Sequence, residues 1–303
     1  MSQFLQQLIN GMALGSIYAL IAIGYTMVYG VLRFINFAHS DVLMLGAFSA
    51  YYLAPLSQRL FGAQSIIGAL FVVLISTVIC AAIGILIEIL AYRPLRNRPR
   101  LSVLITAIGV SLLIEYTAQH KAVFGANTKP FPKLFPSPDF HWGGLDVSAN
   151  DIVVLAVTAL LLAVLWFIVQ RTKMGTAMRA VSFNPQAAAL MGININRIIS
   201  FTFGLGSALA AIAGILYAMK APGIEPLMGV QPGLRAFVAA VVGGIGNLPG
   251  AALGGLLLGA LETFAGGIPG VSNYRDGIAF AILILILLFR PAGLLGKLQT
   301  EKV

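Results

Sequence analysis

Apolar runs recur along almost the whole chain and are separated by short polar breaks. A helix needs roughly 20 apolar residues to cross a bilayer, with about 17 to 25 as the usual range. On this criterion we predict nine membrane-embedded segments, at residues 5–30, 41–56, 64–90, 101–118, 150–170, 198–219, 234–247, 250–266 and 277–291. The expected fold is therefore all-α, a polytopic membrane helix bundle of eight or nine spans.

Two of these segments, 41–56 and 234–247, are shorter than a full crossing. Short apolar segments interrupted by Gly or Pro are typical of broken or re-entrant helices, whose backbone groups must be satisfied by protein or by a water-filled cavity. The stretch from Gly246 to Gly250, which reads GNLPG, ends a helix because it holds two glycines and a proline within five residues. We expect a hairpin between two short helices there.

Composition and glycine spacing both support a packed membrane bundle. Of 303 residues, 59% are hydrophobic and 10% are charged, whereas soluble domains have roughly 45–50% apolar and about 25% charged residues. The apolar runs leave no room for a separate soluble domain of ordinary size, so we predict a single transmembrane domain over residues 1–303. Gly250, Gly254, Gly255 and Gly259 have the small-residue spacing that lets helices approach closely.

The net charge of +9 is explained by topology, because basic residues of multi-span proteins collect in cytoplasmic loops. Lys and Arg cluster in three places: Arg93, Arg96, Arg98 and Arg100; Arg171, Lys173, Arg179 and Arg197; and Arg290, Lys297 and Lys302. We therefore predict a cytoplasmic loop at about 172–197, an external loop at about 119–150 and a cytoplasmic C-terminus. The N-terminus falls outside if nine segments cross.

Sequence motifs argue against an enzyme. The chain has no P-loop, no His-Glu-x-x-His and no Gly-x-Ser-x-Gly, and its histidines, His39, His120 and His141, lack metal-ligand spacing. We expect no catalytic residue, no metal and no cofactor in this chain. A chain with many spans, broken helices and no set of catalytic residues is most simply interpreted as a transport pathway.

Polar groups inside the membrane are costly and are therefore candidates for function. The stretch Arg33 to Asp41, RFINFAHSD, lies between a long and a short predicted span. It lines a solute path or gate, or it is an interfacial turn in which Asn36 and Ser40 cap the next helix. Our candidate path residues are Asn36 and His39 together with Gly243, Gly244, Gly246 and Asn247 of the hairpin.

Three carboxylates lie within or near the predicted spans. Glu88 and Glu115 lie near span ends, where snorkelling or a salt bridge to the Arg93 to Arg100 loop suffices to explain the charge. Glu262 lies deeper, has no evident partner and is a weak candidate for a proton relay.

The segment from Thr172 to Asn196 is moderately polar and lies between two firm spans. Ala187 to Met191 favour a helix, Asn184-Pro185 is a start signal, and Gly192 is a stop signal. A short helix of this kind at the cytoplasmic face is suited to docking into a groove on another protein, or it merely connects two spans.

Here the residues resemble a known family. Gln186, Ala187 and Ala188 followed by Gly192 resemble the Glu-Ala-Ala-x-x-x-Gly loop through which ABC-importer permeases engage their ATPase, with Gln186 in place of the glutamate. Five further stretches are similar to the high-affinity branched-chain amino-acid permease family: IAIGYTMVYG at 21–30, INFAH at 35–39, AYRP at 91–94, MGIN at 191–194 and AAVVGGIG at 239–246. The resemblance covers nearly the whole chain, from about Leu8 to Gly296.

The resemblance implies one half of the pathway of a bacterial inner-membrane importer. The implied partners are a homologous second permease subunit, two cytoplasmic ATPase subunits that bind the ATP, and a periplasmic amino-acid-binding protein. Gln186, Ala187, Ala188 and Gly192 would then couple the permease to the ATPases. Related permeases for urea, short amides or other amino acids share much of this pattern, a homodimer of permeases stays open, and an ion-coupled secondary transporter is the alternative outside the family.

Overall fold

A computed structural model describes residues 2–96, 98–136, 138–142, 145–268, 270 and 272–296. Lys297 and Lys302 of the predicted cytoplasmic tail lie outside this part of the chain. Eleven α-helices occupy most of the described residues: α1 Ser2–Leu32, α2 His39–Phe61, α3 Ile66–Ile87, α4 Arg100–Gln119, α5 Ala149–Arg171, α6 Lys173–Phe183, α7 Pro185–Leu190, α8 Ile195–Lys220, α9 Val230–Gly243, α10 Leu248–Gly267 and α11 Arg275–Phe289. The predicted all-α polytopic bundle is confirmed.

All nine predicted segments are helical, but within the described residues only six helices are long and apolar enough to cross a membrane. These are α1, α3 with its continuation to Leu95, α4, α5, α8 and α10. The prediction of eight or nine spans is therefore approximate. Helices α9 and α11 are too short, with 14 and 15 residues, and α2 is long enough but not apolar enough.

Helix α2 is longer than its predicted segment. It runs without interruption for 23 residues, through Pro55 and the polar residues Ser57 to Arg59. The predicted segment ended at residue 56 because the apolar side chains end there. A helix depends on backbone hydrogen bonds, however, and tolerates polar side chains in its last turns.

Short elements that were not predicted flank the spans. Helix α6 precedes α7 in the 172–197 loop. The predicted external loop contains β1 Lys129–Pro130, β2 Asp139–Trp142 and β3 Leu145–Ser148. Strands β2 and β3 form an antiparallel hairpin, and β1 pairs antiparallel with β4 Gly223–Ile224. Prolines exclude a helix in this loop but permit short paired strands.

The core of the bundle is formed by α1, α2, α8, α9 and α10. The most apolar 18-residue window of α1 is 89% buried and that of α8 is 72% buried, whereas the windows of α3, α4 and α5 are 17–22% buried. The latter three helices present Leu and Ile side chains outward, as expected of helices that face lipid or a partner chain.

Glycines bring the backbones of α1 and α10 into contact. A Cβ atom added at Gly15 would lie 2.8 Å from Leu256 Cα, and one added at Gly11 would lie 2.8 Å from Ala260 Cα. A Cβ atom at Gly259 would overlap the backbone of Gly15. The glycine spacing thus marks tight packing, as the sequence indicated.

One end of the bundle carries a group of arginines. We call the end that contains Arg33, Arg93, Arg96 and Arg98 the basic end, because these residues line one cleft there together with residues of α7. At the opposite end a cavity of about 340 Å³ is lined by Asn10 and Leu14 in the first half of α1, the first turn of α5, the last turn of α8 and Thr263 of α10. The chain therefore starts at the end opposite the basic loops.

Helices α2 and α9 both begin inside the bundle. The imidazole of His39, the first residue of α2, lies against Gly24, which precedes the end of α1 by eight residues, or about 12 Å. The first turn of α9 lies beside this point, because Gly229 and Gly233 pack on Ser40. The chain re-enters the bundle before each of these helices, which is the re-entrant geometry expected of the two short segments.

Candidate functional site

A cleft of about 920 Å³ opens at the basic end. Its walls are the end of α1, the segment after α3, the start of α4, the α6–α7 turn and the start of α8. The polar and charged residues among its lining are Arg33, Arg93, Arg96, Arg98, Asn184, Gln186, Asn194 and Asn196. The structure thus brings Arg33 and three arginines of the first basic cluster together with the predicted coupling helix.

Helix α7 starts and stops as the sequence predicted. The Asn184 side chain accepts a hydrogen bond from the Ala187 amide over 3.0 Å, and Pro185 occupies the first helical position. Gly192 ends the helix with φ of +81°, a left-handed conformation that favours glycine. The amides of Gly192 and Ile193 donate to the carbonyls of Ala189 and Ala188.

The predicted coupling residues lie beside an exposed apolar surface at the basic end. Gln186 and Ala187 are exposed, and Ala188 is buried against the bundle. Beside them Phe183, Leu190 and Met191 are 87%, 89% and 83% exposed. Large apolar side chains this exposed at the end of a helix turn, beside arginines, are typical of a surface that a partner covers.

Helix α6 fixes this surface to the spans. Gly175 packs on the last carbonyls of α5, and the Arg179 guanidinium donates to the Val169 carbonyl. Ser182 Oγ donates to the Gly30 carbonyl of α1 over 2.5 Å. Thr172 caps α6 by accepting from the Gly175 amide over 3.1 Å. Thr172, a capping residue directly before Lys173, is the signal in the sequence for the start of α6, which was not predicted.

Glu88 forms the centre of a cluster at the floor of the cleft. The carboxylate is fully buried and pairs with Arg93 over 2.9 Å and with Arg96. Ser200 Oγ on α8 donates to it over 2.6 Å. Of the two alternatives for Glu88, snorkelling or a salt bridge to the arginine loop, the salt bridge is confirmed. A π-helical turn, Glu88–Tyr92, precedes the arginines.

The candidate path residues Asn36 and His39 are buried in the bundle. Asn36 is 5% exposed, and its Oδ1 accepts a hydrogen bond from Tyr92 over 2.6 Å. His39 is 1% exposed, with its ring 4.8 Å from that of Tyr25 and its Nε2 without a hydrogen-bond partner. The predicted caps of α2, Asn36 and Ser40, do not form: Asn36 is engaged by Tyr92, Ser40 Oγ donates to the Phe37 carbonyl over 2.9 Å, and the first turn of α2 has no side-chain cap. The interfacial-capping alternative is therefore wrong.

The predicted hairpin joins α9 to α10 at the basic end of the bundle. Gly244 and Gly246 have φ of +105° and +95°, and Asn247 caps α10 by accepting from the Gly250 amide over 3.1 Å. Gly243 packs on the Gly250 backbone. The break is confirmed, although α10 is a 20-residue helix and not a short one.

The two groups of candidate path residues lie in neighbouring segments. Ile35, next to Asn36, and Ile245, within the hairpin turn, line the same narrow crevice with Tyr25, Phe237 and Ala240. The side chains of Asn36 and His39 are engaged elsewhere, with Tyr92 and with α1. A solute path along these residues stays a prediction.

Glu262 has partners, which corrects the expectation of a lone carboxylate. Arg235 of α9 donates to it over 2.6 Å, and Tyr18 of α1 donates to it over 2.8 Å. Arg235 also pairs with Asp276 of α11 over 2.7 Å. No local sequence pattern marks Arg235 or Tyr18 as a partner of Glu262, because the three residues are on different helices.

Metal-binding geometry was not expected, and the described residues contain no group of three or more His, Cys, Asp or Glu side chains arranged to hold an ion.

Comparisons with known proteins agree with the resemblance. A family profile described as "Branched-chain amino acid transport system / permease component" matches residues 7–287. The chain is 43% identical to the high-affinity branched-chain amino acid transport system permease protein BraD of Pseudomonas aeruginosa, covering 99% of this chain and 98% of the relative. It is 41% identical to LivH of Escherichia coli, with the same coverage. It is 30% identical to a probable LivH of Methanocaldococcus jannaschii, over 93% of this chain and 89% of that protein.

Proposed function

The chain belongs to the family of branched-chain amino acid transport system permease components, and from this premise we propose that it is the permease subunit of a binding-protein-dependent ABC importer. It is a multi-pass membrane protein, and we place it in a bacterial inner membrane with the basic end in the cytoplasm. Its cargo is leucine, isoleucine and valine, and the chain forms half of the translocation pathway.

The observation that carries this proposal is the surface of α7. A helix of six residues, capped at both ends, holds Leu190 and Met191 more than four-fifths exposed beside the basic loops. Removing such side chains from water by docking gives about 25 cal/mol per Å² of apolar surface. A cytoplasmic ATPase with an apolar groove is the partner that fits this surface. Gln186, Ala187 and Gly192 would lie at the contact, while the buried Ala188 would hold α7 against the bundle.

The other partners follow from the family. Relatives are named as permease proteins of a transport system, and this sequence has no P-loop. We assign ATP binding to two cytoplasmic ATPase subunits, the second half of the pathway to a homologous permease and cargo delivery to a periplasmic amino-acid-binding protein. No cofactor is assigned to this chain.

The contacts of α6 supply a route for coupling. A displacement of α7 by the ATPases would move α6, which is bonded to the ends of α5 and α1 through Arg179 and Ser182. Helix α1 packs against α10, α8 and α9, so the movement would reach the re-entrant starts of α2 and α9. Coupling of this kind requires two discrete arrangements of the bundle, one favoured by each nucleotide state.

The first test is co-purification of the chain with the ATPase subunits of its host, together with uptake of labelled leucine into vesicles that contain ATP. We expect Leu190→Ser to lower ATPase recovery and uptake severalfold. Val123→Ser, which alters a 42% exposed apolar side chain at the opposite end, is the control and should change neither. ATP-independent uptake by the chain alone would overturn the proposal.

A second test addresses the solute path. In a Cys80→Ala background, Asn36→Cys, His39→Cys and Gly246→Cys are labelled with a membrane-impermeant thiol reagent in the assembled complex, with and without ATP. A path along these residues predicts labelling that changes with ATP. Constant protection of all three positions would remove them from the path while leaving the importer assignment intact.

A further inference from the structure

The cleft at the basic end has an unbalanced charge. Four arginines line it and no acidic residue is among its described lining. Glu88, at its floor, neutralises part of this charge through Arg93 and Arg96. Arg33 and Arg98 are exposed, and within the described part of the chain neither forms an ion pair. Two guanidinium groups therefore face the cleft without a counter-ion from this chain.

The three asparagines of the cleft add hydrogen-bond donors. Asn184 Oδ1 accepts from the Ala187 amide, and Asn194 Oδ1 accepts from the Arg197 amide. Asn196 Oδ1 accepts from the Arg96 guanidinium over 2.6 Å. The Oδ1 atom of each of these three asparagines thus accepts a hydrogen bond within the chain, and each Nδ2 group, a donor with two hydrogens, can donate to a ligand. Arginine and amide donors together select carboxylate or phosphate oxygens.

The cleft is continuous with the surface proposed to dock the ATPase. Pro185, Gln186 and Ala189 of α7 form one of its walls, while Leu190 and Met191 on the same short helix turn are exposed to solvent. A protein that covers the apolar side of α7 would therefore also cover the mouth of the cleft. Its volume of about 920 Å³ is large enough for several side chains.

We propose that the cleft receives acidic side chains of the ATPase partner, whose carboxylates pair with Arg33 and Arg98 and accept hydrogen bonds from the asparagine amides. This inference rests on the proposed function and adds a second contact with the ATPase. The contact at α7 is apolar, whereas the contact in the cleft is electrostatic. Charged contacts at the rim of an interface fix orientation and speed association. The arginine contact thus sets the register in which α7 enters its groove.

Zero-length cross-linking tests the contact directly. Arg33→Lys and Arg98→Lys keep the positive charge and supply amines that a carbodiimide joins to a carboxylate only when the two are in direct contact. In the assembled complex we expect amide links from both positions to Asp or Glu of the ATPase, identified by mass spectrometry. Arg59→Lys, an exposed position at the end of α2, is the control and should give none.

Charge reversal provides the second measurement. Arg33→Glu with Arg98→Glu should weaken ATPase binding by at least tenfold at low salt, and the remaining affinity should depend less on salt than that of the native complex. Arg59→Glu with Lys133→Glu makes the same change of net charge with exposed residues away from the cleft and should leave binding within about twofold.

The outcomes separate the two proposals. If the native complex assembles but the lysine variants give no link and charge reversal leaves binding unchanged, the acidic contact is wrong and the importer assignment stands. If anionic phospholipid, detected by native mass spectrometry, occupies the cleft of the assembled complex and is lost on charge reversal, the cleft is a headgroup site and the acidic contact is overturned. If the native chain recovers no ATPase, the proposed function itself fails.

Discussion

Glu262 on α10 accepts a hydrogen bond from Arg235 on α9 over 2.6 Å, across the hairpin that joins the two helices. Tyr18 of α1 and Asp276 of α11 complete the network, so four helices meet at one ionic cluster. The arrangement explains how the membrane tolerates a carboxylate that has 8% exposure, because its charge is compensated by a guanidinium and its lone pairs accept two donors.

Breaking this pair should destabilise the bundle. Glu262→Leu leaves the Arg235 guanidinium partly buried with Asp276 as its remaining acidic partner, and we expect a loss of about 2 to 4 kcal/mol in the free energy of unfolding. The loss is measured as a lower melting temperature of the purified chain in detergent. Glu262→Leu combined with Arg235→Leu removes both charges and should recover much of the loss, whereas additive losses would contradict a direct pairing.

The α1–α10 contact should not accept a side chain at its glycines. Gly15→Leu places side-chain atoms where the Leu256 backbone lies, so the helices must separate and the yield of folded chain should fall strongly. Gly109→Ala on α4 is the matched control, because a Cβ atom there meets nothing within 4 Å; it should melt at or slightly above the native temperature. Equal yields, assayed by size-exclusion chromatography, would contradict the close approach of α1 and α10.

Substitutions at two glycines with similar conformations can distinguish a loss of coupling from a general effect of backbone strain. Gly192 and Gly62 have φ of +81° and +86°, and a Cβ atom at either meets nothing within 4 Å. Valine at either position costs about 1–2 kcal/mol of local strain. Because Gly192 ends α7 while Gly62 ends α2 far from the cleft, Gly192→Val should lower leucine uptake roughly 5- to 30-fold. Gly62→Val should leave uptake near native, and a similar loss in both variants would argue against a coupling role for α7.

The C-terminal segment 290–296 should stabilise the α9–α10 hairpin. The amides of Leu294 and Leu295 donate to the last carbonyls of α9, over 2.8 Å and 3.1 Å. Asn247 both caps α10 and donates its Nδ2 group to the Leu295 carbonyl over 2.6 Å. Asn247→Ala loses both bonds and should cost about 2 kcal/mol.

Asn247→Ser separates the two bonds of this asparagine. Serine keeps the cap but not the donor to Leu295, so the loss in melting temperature should be about half of that seen with alanine. If the serine and alanine variants melt together, the cap contributes nothing and the assignment of two separate bonds is wrong.

The sequence by itself determined the helical class, the nine apolar segments and the boundaries of α7. The start of α7 is fixed by Asn184 and Pro185 and its end by Gly192, each through backbone groups within four residues. The break at Gly246 is local in the same sense. Such signals can be recognised from the sequence alone, because each capping group interacts with a near neighbour along the chain.

Only the tertiary structure decided which distant residues meet. Tyr18 and Glu262 are 244 residues apart along the chain, and their contact exists because Gly15 and Gly259 let α1 and α10 pack backbone to backbone. The cleft likewise combines arginines from the end of α1 and the segment after α3 with asparagines flanking α7 and α8. Apolar periodicity predicts that one face of a helix is buried, but not which helix packs against it. Apolar helix faces in a membrane protein are similarly hydrophobic, so the packing partner is determined by how well the two surfaces fit together.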